Sequence, residues 1–92
     1  MTAVVETFRK IGTLGDLKLV TIQTTATAAT GWTIDLASDA TNGKGVVITE
    51  ILNTLIQDDL GADKTATWSP TTGIITLGTI DTGIHNITIM GY

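Results

Sequence analysis

The stretch from Thr65 to Gly78, TATWSPTTGIITLG, decides the fold class. Two short runs rich in threonine, isoleucine and aromatic residues flank the turn sequence SPTTG. Pro70 presets the backbone for the start of a turn, and Gly73 supplies a residue that readily adopts the left-handed conformation. The flanking β-branched and aromatic residues are typical of strands. The stretch therefore predicts an antiparallel β-hairpin.

Three further segments predict strands on either side of this hairpin. They are DLKLVTIQTT (16–25), WTIDLA (32–37) and HNITIMGY (85–92). The first has apolar residues on both faces and is predicted to be covered on both, whereas the other two alternate between apolar and polar positions. Short strands separated by turn sequences predict an all-β chain, a compact antiparallel β-sandwich or barrel of five to seven short strands.

Residues 45–60 support two interpretations. Apolar residues recur at helical spacing from Ile48 to Leu60, and Gly61 is placed to end a helix. The run VVIT (46–49), by contrast, is strand-like and a poor helix former. The composition of the surrounding chain favours a strand, which we predict, and a single helix over 48–60 stays open as the alternative.

Composition excludes several classes of protein. The 92 residues are 42% apolar and 15% charged, carry a net charge of −4 and include no cysteine. Without cysteine there is no disulfide, thiolate metal site or thiol nucleophile. Five basic residues in an acidic chain argue against nucleic acid as a partner. We also predict no membrane segment and no signal peptide, since no apolar run approaches the roughly 20 residues that span a bilayer.

The mean hydropathy of +0.32 is high for a chain of 9.6 kDa. A small domain has much surface for its volume, so some of these apolar residues must lie outside the core. Burial of part of the surface against other chains explains the surplus. We therefore expect the chain to associate with itself or with a larger assembly.

Candidate catalytic and metal-binding residues are few. His85 is the only histidine, and its place in a predicted strand favours a structural role. Ser69 lies in a predicted turn, neither serine lies in a G-x-S-x-G sequence, and the Gly43–Lys44 pair lacks the neighbours of a phosphate-binding loop. Candidate cation ligands lie in two acidic segments: Asp58, Asp59 and Asp63, and more weakly Asp35, Asp39 and Asn42. Neither matches a calcium-loop spacing, so we predict no catalytic residue, metal or cofactor.

Residues 1–12 are predicted to form either an N-terminal arm or an edge strand, ahead of a single β domain over 13–92. The first 20 residues carry three basic and two acidic side chains, whereas the rest of the chain is strongly acidic. A slightly basic, apolar segment on an acidic body suits docking onto a larger acidic assembly. Five side chains are the predicted contacts: Val4, Val5, Phe8, Arg9 and Ile11.

The aromatic residues have two candidate roles. Flat aromatic side chains near aspartates can form a platform for sugar rings, and Trp32, Trp68 and Tyr92 are the candidates. Packing in the core or at a subunit interface is the alternative. Packing is favoured for Trp32, whose strand face is apolar, whereas the two roles are evenly balanced for Trp68.

A resemblance to a known family adds to these predictions. The segment GDLKLVT (15–21), a Thr- and Gly-rich loop, the hairpin ATWSPTTGIITLG (66–78) and the closing IMGY (89–92) resemble small structural proteins of tailed phages. More narrowly, the chain is similar to capsid decoration, or cement, proteins. The resemblance covers most of the chain from Gly15 onward and rests on the overall pattern.

This resemblance implies a non-enzymatic virion protein on the capsid surface. Such a protein binds the major capsid protein, stabilises the phage head shell and assembles as a homotrimer. In that role the five N-terminal side chains named above contact the shell, and Trp68 and Tyr92 lie at the subunit interface. The alternative, from a different class, is a carbohydrate-binding module of a phage tail or adhesin.

Overall fold

The computed structural model describes residues 2–38, 43–69, 72–80 and 82–92. These residues contain eight strands and no helix, which confirms the all-β prediction. The strands are β1 (Glu6–Leu14), β2 (Leu17–Thr24), β3 (Thr33–Asp35), β4 (Ile51–Asp58), β5 (Asp63–Lys64), β6 (Ala66–Trp68), β7 (Ile74–Leu77) and β8 (His85–Gly91). The described part thus holds more strands than the five to seven expected, because β5 has two residues and leaves no pattern in the sequence.

The strands form two antiparallel sheets that enclose one core. The larger sheet has the order β1-β2-β8-β4-β5, and the smaller has the order β3-β7-β6. Ile22, Ile87 and Ile56 lie side by side on three neighbouring strands of the larger sheet, and all three are buried. Ile34 and Ile75 are paired and buried in the smaller sheet. The inward faces of both sheets therefore supply the core, as in a small β-sandwich.

Strand β2 confirms the strand predicted over 16–25 and corrects the expectation that both its faces are covered. Val20 and Ile22 are fully buried. On the opposite face Leu17 and Leu19 are only half-buried and Thr21 is exposed. The larger sheet packs on the smaller sheet through one face, and no described element forms a layer over the other.

Strand β4 resolves the ambiguity over 48–60 in favour of a strand. Its pairing with β8 shifts by one residue between Ile51 and Asn53, which is a β-bulge at Leu52. Because of this extra residue, Ile51 and Ile56 both face the core although they are five positions apart. Leu52 and Leu55 are left exposed. The bulge and the exposed leucines together produced the spacing that resembles a helix.

The predicted hairpin is present as β6 and β7, which pair in antiparallel register. Gly73 has a φ of 70°, the left-handed conformation expected of it. Pro70 and Thr71 lie outside the described residues. The predicted strands over 32–37 and 85–92 are also confirmed, as β3 and β8.

The N-terminal segment is joined to both sheets. The Val4 N–H donates to the Thr33 carbonyl at 2.8 Å, and the Thr33 N–H donates to the Thr2 carbonyl at 2.9 Å. The chain then continues into β1, an edge strand of the larger sheet. Backbone hydrogen bonds to β2 and β3 therefore hold residues 2–14 in place.

Candidate functional site

A buried ion pair lies at the start of β1. Arg9 donates from Nε and Nη2 to the two carboxylate oxygens of Glu6 at 2.9 and 2.7 Å. The Arg9 side chain is 1% exposed and the Glu6 side chain is 5% exposed. Residues three apart on a regular strand face opposite ways, but a register shift between Glu6 and Phe8 turns both Glu6 and Arg9 inward. The bulge thus makes this bidentate pair possible.

The same guanidinium also holds the segment that follows β3. Arg9 donates to backbone carbonyls of that segment at distances between 2.7 and 3.4 Å, namely those of Asp35, Leu36, Ser38 and Lys44. Gly43 approaches so closely that a Cβ there would lie 2.6 Å from the Arg9 Cβ. Arg9 therefore links the edge strand β1 to the backbone at residues 35–38 and at Lys44.

The five predicted shell-contact residues fall into two groups. Val4 and Arg9 are buried, so their side chains are committed to packing and hydrogen bonds within the protein. Val5 and Ile11 are exposed, at 48% and 44%, and Phe8 is half-buried. A contact through Val5, Phe8 and Ile11 stays a prediction, whereas the buried pair corrects the idea that Arg9 offers its charge to a partner.

The outward face of the larger sheet carries a second set of apolar side chains. Leu14 pairs with Leu17, and Leu19 pairs with Met90, so these residues are neighbours on one face. Leu55 is on the same face, opposite Thr88, and Tyr92 continues the alternation of β8 beyond Met90. We call this surface the outer apolar face; its members are Leu14, Leu17, Leu19, Leu55, Met90 and Tyr92.

The outer apolar face is both exposed and nearly uncharged. Leu14 is 64% exposed and Leu55 is 50% exposed. Of the described residues that face outward on the five strands of the larger sheet, two are charged, Lys10 on β1 and Asp63 on β5. Glu50 lies at the margin, where its carboxylate accepts a hydrogen bond from the Tyr92 hydroxyl at 3.0 Å. An exposed apolar surface with few charges is typical of a protein–protein contact.

The structure places the two predicted subunit-interface residues on different surfaces. Trp68 pairs with the buried Ile75 in the smaller sheet and packs, half-buried, against the core. Trp32 packs against the core in the same way. Tyr92 is on the outward side of the larger sheet and is 46% exposed. Trp68 and Tyr92 do not form one patch, so of the two only Tyr92 belongs to the outer apolar face.

Tyr92 gives this surface a spectroscopic reporter. Its hydrogen bond to Glu50, followed by the negative charge of that carboxylate, raises the Tyr92 pKa above the ordinary 10.0. Because the folded pKa is raised, the pair stabilises the fold below pH 10 and this contribution is lost as the pH rises through the folded pKa. Glu50→Ala should return the phenol pKa towards 10.0, as measured by ultraviolet absorbance of the only tyrosine in the chain.

The matched control for the Tyr92 titration is Asp59→Ala, which removes one exposed carboxylate in the loop after β4. It should leave the tyrosine titration unchanged. Equal titration midpoints in the wild type and in Glu50→Ala would contradict the hydrogen bond between Tyr92 and Glu50.

The acidic segment 57–63 forms the turn between β4 and β5. The N–H groups of Ala62 and Leu60 donate to Asp58 Oδ1, and the Ala62 bond is the larger cause of the lowered Asp58 pKa. Asp63 accepts a hydrogen bond from Gln57. No group of three or more histidine, aspartate or glutamate side chains in the described ranges is arranged to hold a metal. Asp39 and Asn42 lie outside those ranges.

His85 is a buried strand residue. Its Nδ1–H donates to the Gly83 carbonyl at 2.9 Å, and its backbone N–H donates to Thr24 Oγ1 at 2.9 Å. Ser38 and Ser69 are exposed, and the Ser38 hydroxyl donates to Asp35. The bond between His85 and Thr24 links β8 to the end of β2. The bond between Ser38 and Asp35 stabilises the turn after β3.

Comparisons with known proteins found no similarity that could guide the interpretation of the site. No protein-family model matches the chain, and no curated protein or solved structure is significantly similar to it. The part of the chain that the structure describes contains no helix long and apolar enough to cross a membrane.

Proposed function

We propose that this chain is a non-enzymatic structural subunit of a virus particle, a capsid decoration protein that binds the major capsid protein and stabilises the head shell as a homotrimer. The observation that carries the proposal is the exposure of apolar side chains on two separate sides of β1. Ile11 pairs with Val20 and so faces the inward side of the sheet, whereas Leu14 faces outward. A small domain with two contact surfaces can bind another copy of itself through one surface and the shell through the other.

The N-terminal edge is the proposed shell contact. Val5 and Ile11 are exposed there, whereas the half-buried Phe8 pairs with Gln23 and so faces the outward side of the sheet. Burial of apolar surface contributes about 25 cal/mol per Å². A single copy gains little from such a small contact, but the stabilisation is multiplied over the many copies on a particle.

The anchoring of β1 supports this assignment. Arg9 and the hydrogen bonds between Thr33 and residues 2–4 hold the backbone on both sides of Val5. A contact segment that is already ordered loses less conformational entropy on binding than a free arm. The edge strand therefore presents its apolar side chains in a preformed arrangement.

Particles purified from the virus that encodes the chain test the function. Peptide mass spectrometry of intact particles should detect the chain, and gold-labelled antibodies should decorate the heads. Absence of the chain from intact particles would overturn the proposal, and labelling confined to the tail would favour the carbohydrate-binding alternative instead.

The shell contact has its own prediction. Val5→Asp combined with Ile11→Asp should weaken rebinding to particles stripped of the protein by about tenfold or more, since 1.4 kcal/mol of lost apolar burial already corresponds to tenfold. Titration of labelled protein onto stripped particles measures this change. The control is Leu60→Asp, a substitution at a leucine that is 90% exposed in the turn after β4. Equal binding by the edge variant and the control would place the contact elsewhere.

A further inference from the structure

We infer that the outer apolar face is the surface through which copies of this chain pack against one another. The inference deepens the proposed function and rests on it for the idea that copies assemble. It assigns the subunit contact to the larger sheet and not to the smaller sheet, where Trp68 lies.

The first step concerns the charges on the outer apolar face. The chain has a net charge of −4, so identical copies repel one another unless their acidic groups stay apart. Two carboxylates lie at the margins of the face, Glu50 beside Tyr92 at the apolar end and Asp63 beside Gln57 at the other end, and Lys10 lies beside Thr21. The apolar side chains between these margins carry no charge, so two such faces meet with few like charges opposed. A partner chosen by charge would require more charged groups than the face offers.

The second step concerns the position of the apolar residues. The apolar residues lie at one end of the face, around the β1–β2 turn and the end of β8, with Leu55 beside them. The other end is more polar and carries Gln23, Asn86 and Gln57, with Phe8 opposite Gln23 on the edge strand. An apolar patch next to a polar region is common in protein interfaces. The same patch can meet its own copy across a two-fold axis or face its copies around a three-fold axis.

The third step concerns size. Four strands spaced about 4.8 Å apart, each seven to nine residues long at about 3.3 Å per residue, cover on the order of 500 Å² in projection. Side chains that project from the sheet make the accessible area larger than this projection. A standard protein interface buries about 800 Å² per partner, so a stable contact between copies would use the whole outward side of these four strands, with the projecting side chains supplying the remaining area.

The experiment compares matched leucine-to-glutamate variants in the absence of any shell. Leu14→Glu combined with Leu55→Glu places two charges on the face, and Leu60→Glu is the control at an exposed leucine outside it. Light scattering after gel filtration gives the native mass, and circular dichroism reports the fold. The wild type and the control should have a mass that is a multiple of 9.6 kDa, and the face variant should fall to 9.6 kDa with an unchanged spectrum.

A second variant covers the case in which the double variant does not fold. Thr88 is exposed at the centre of the face on β8, so Thr88→Glu adds a charge without disturbing the core. It should also lower the mass towards 9.6 kDa. A wild-type protein that is already monomeric, or a folded face variant that keeps the wild-type mass, would overturn the inference. Neither result bears on binding to particles, which the Val5 and Ile11 variants test separately.

Discussion

Replacement of Arg9 by methionine should lower the free energy of unfolding by about 3–5 kcal/mol, the cost of leaving one partner of a buried ion pair without its counter-charge. The Glu6 carboxylate would stay buried without its partner. The carbonyls of Leu36 and Ser38 would also lose the donor that links the 35–44 connection to β1. Chemical denaturation followed by tryptophan fluorescence measures the loss at a fixed protein concentration.

The control for this prediction is the next residue along the strand. Lys10→Met removes one positive charge from the exposed, outward side of β1. Surface substitutions of this kind change stability by about 0.5 kcal/mol or less. If Arg9→Met and Lys10→Met lower the free energy of unfolding by the same amount, the buried ion pair does not hold the N-terminal edge in place.

The second large effect is expected at the centre of the larger sheet. Ile87 is fully buried on β8, between Ile22 and Ile56 on the neighbouring strands. Ile87→Ala should lower the free energy of unfolding by about 2–5 kcal/mol, because it removes buried apolar surface and leaves a cavity. The same denaturation experiment measures this loss.

Thr88→Ala is the matched control for the core prediction, since Thr88 follows Ile87 and faces outward. Thr88→Ala should lower the free energy of unfolding by only a small fraction of the loss caused by Ile87→Ala. Similar losses at the two positions, measured on protein diluted until it is monomeric, would contradict the assignment of one inward and one outward face to β8.

Regular alternation made part of the fold predictable from the sequence. The hairpin of β6 and β7 follows from its turn sequence, and β8 follows from Ile87 and Ile89 on one face. None of these strands carries a bulge residue of its own, since the extra residue in the β4–β8 pairing lies in β4, so a period of two describes them along their whole length. Local patterns are sufficient where the ladder is regular.

Bulges mark the places where the sequence alone was insufficient. A spacing of three between Glu6 and Arg9 predicts opposite faces on a regular strand, so the buried pair was missed and Arg9 was assigned to a partner. The register shift after Glu6 reverses that relation. In β4 a second bulge imitates a helical spacing. Each bulge depends on how the strand pairs with another strand, β2 for the first and the distant β8 for the second, which no local pattern encodes.

The presence of apolar side chains outside the core was predictable, but their location was not. High hydropathy in a small chain predicts apolar side chains outside the core. Which leucines these are depends on which sheet face has no layer over it. Leu17 and Leu19 look like core residues in the sequence because only the sheet packing separates them from Val20 and Ile22.

The most direct test is an electron cryomicroscopy reconstruction of particles that carry the chain. Density for its copies should lie on the outside of the head, with the outer apolar face between copies and Val5 and Ile11 towards the shell. A reconstruction in which the outward leucines, such as Leu14 and Leu55, face solvent would contradict the assignment of the larger sheet to self-association. Heads without any density for the chain would contradict the proposed function itself.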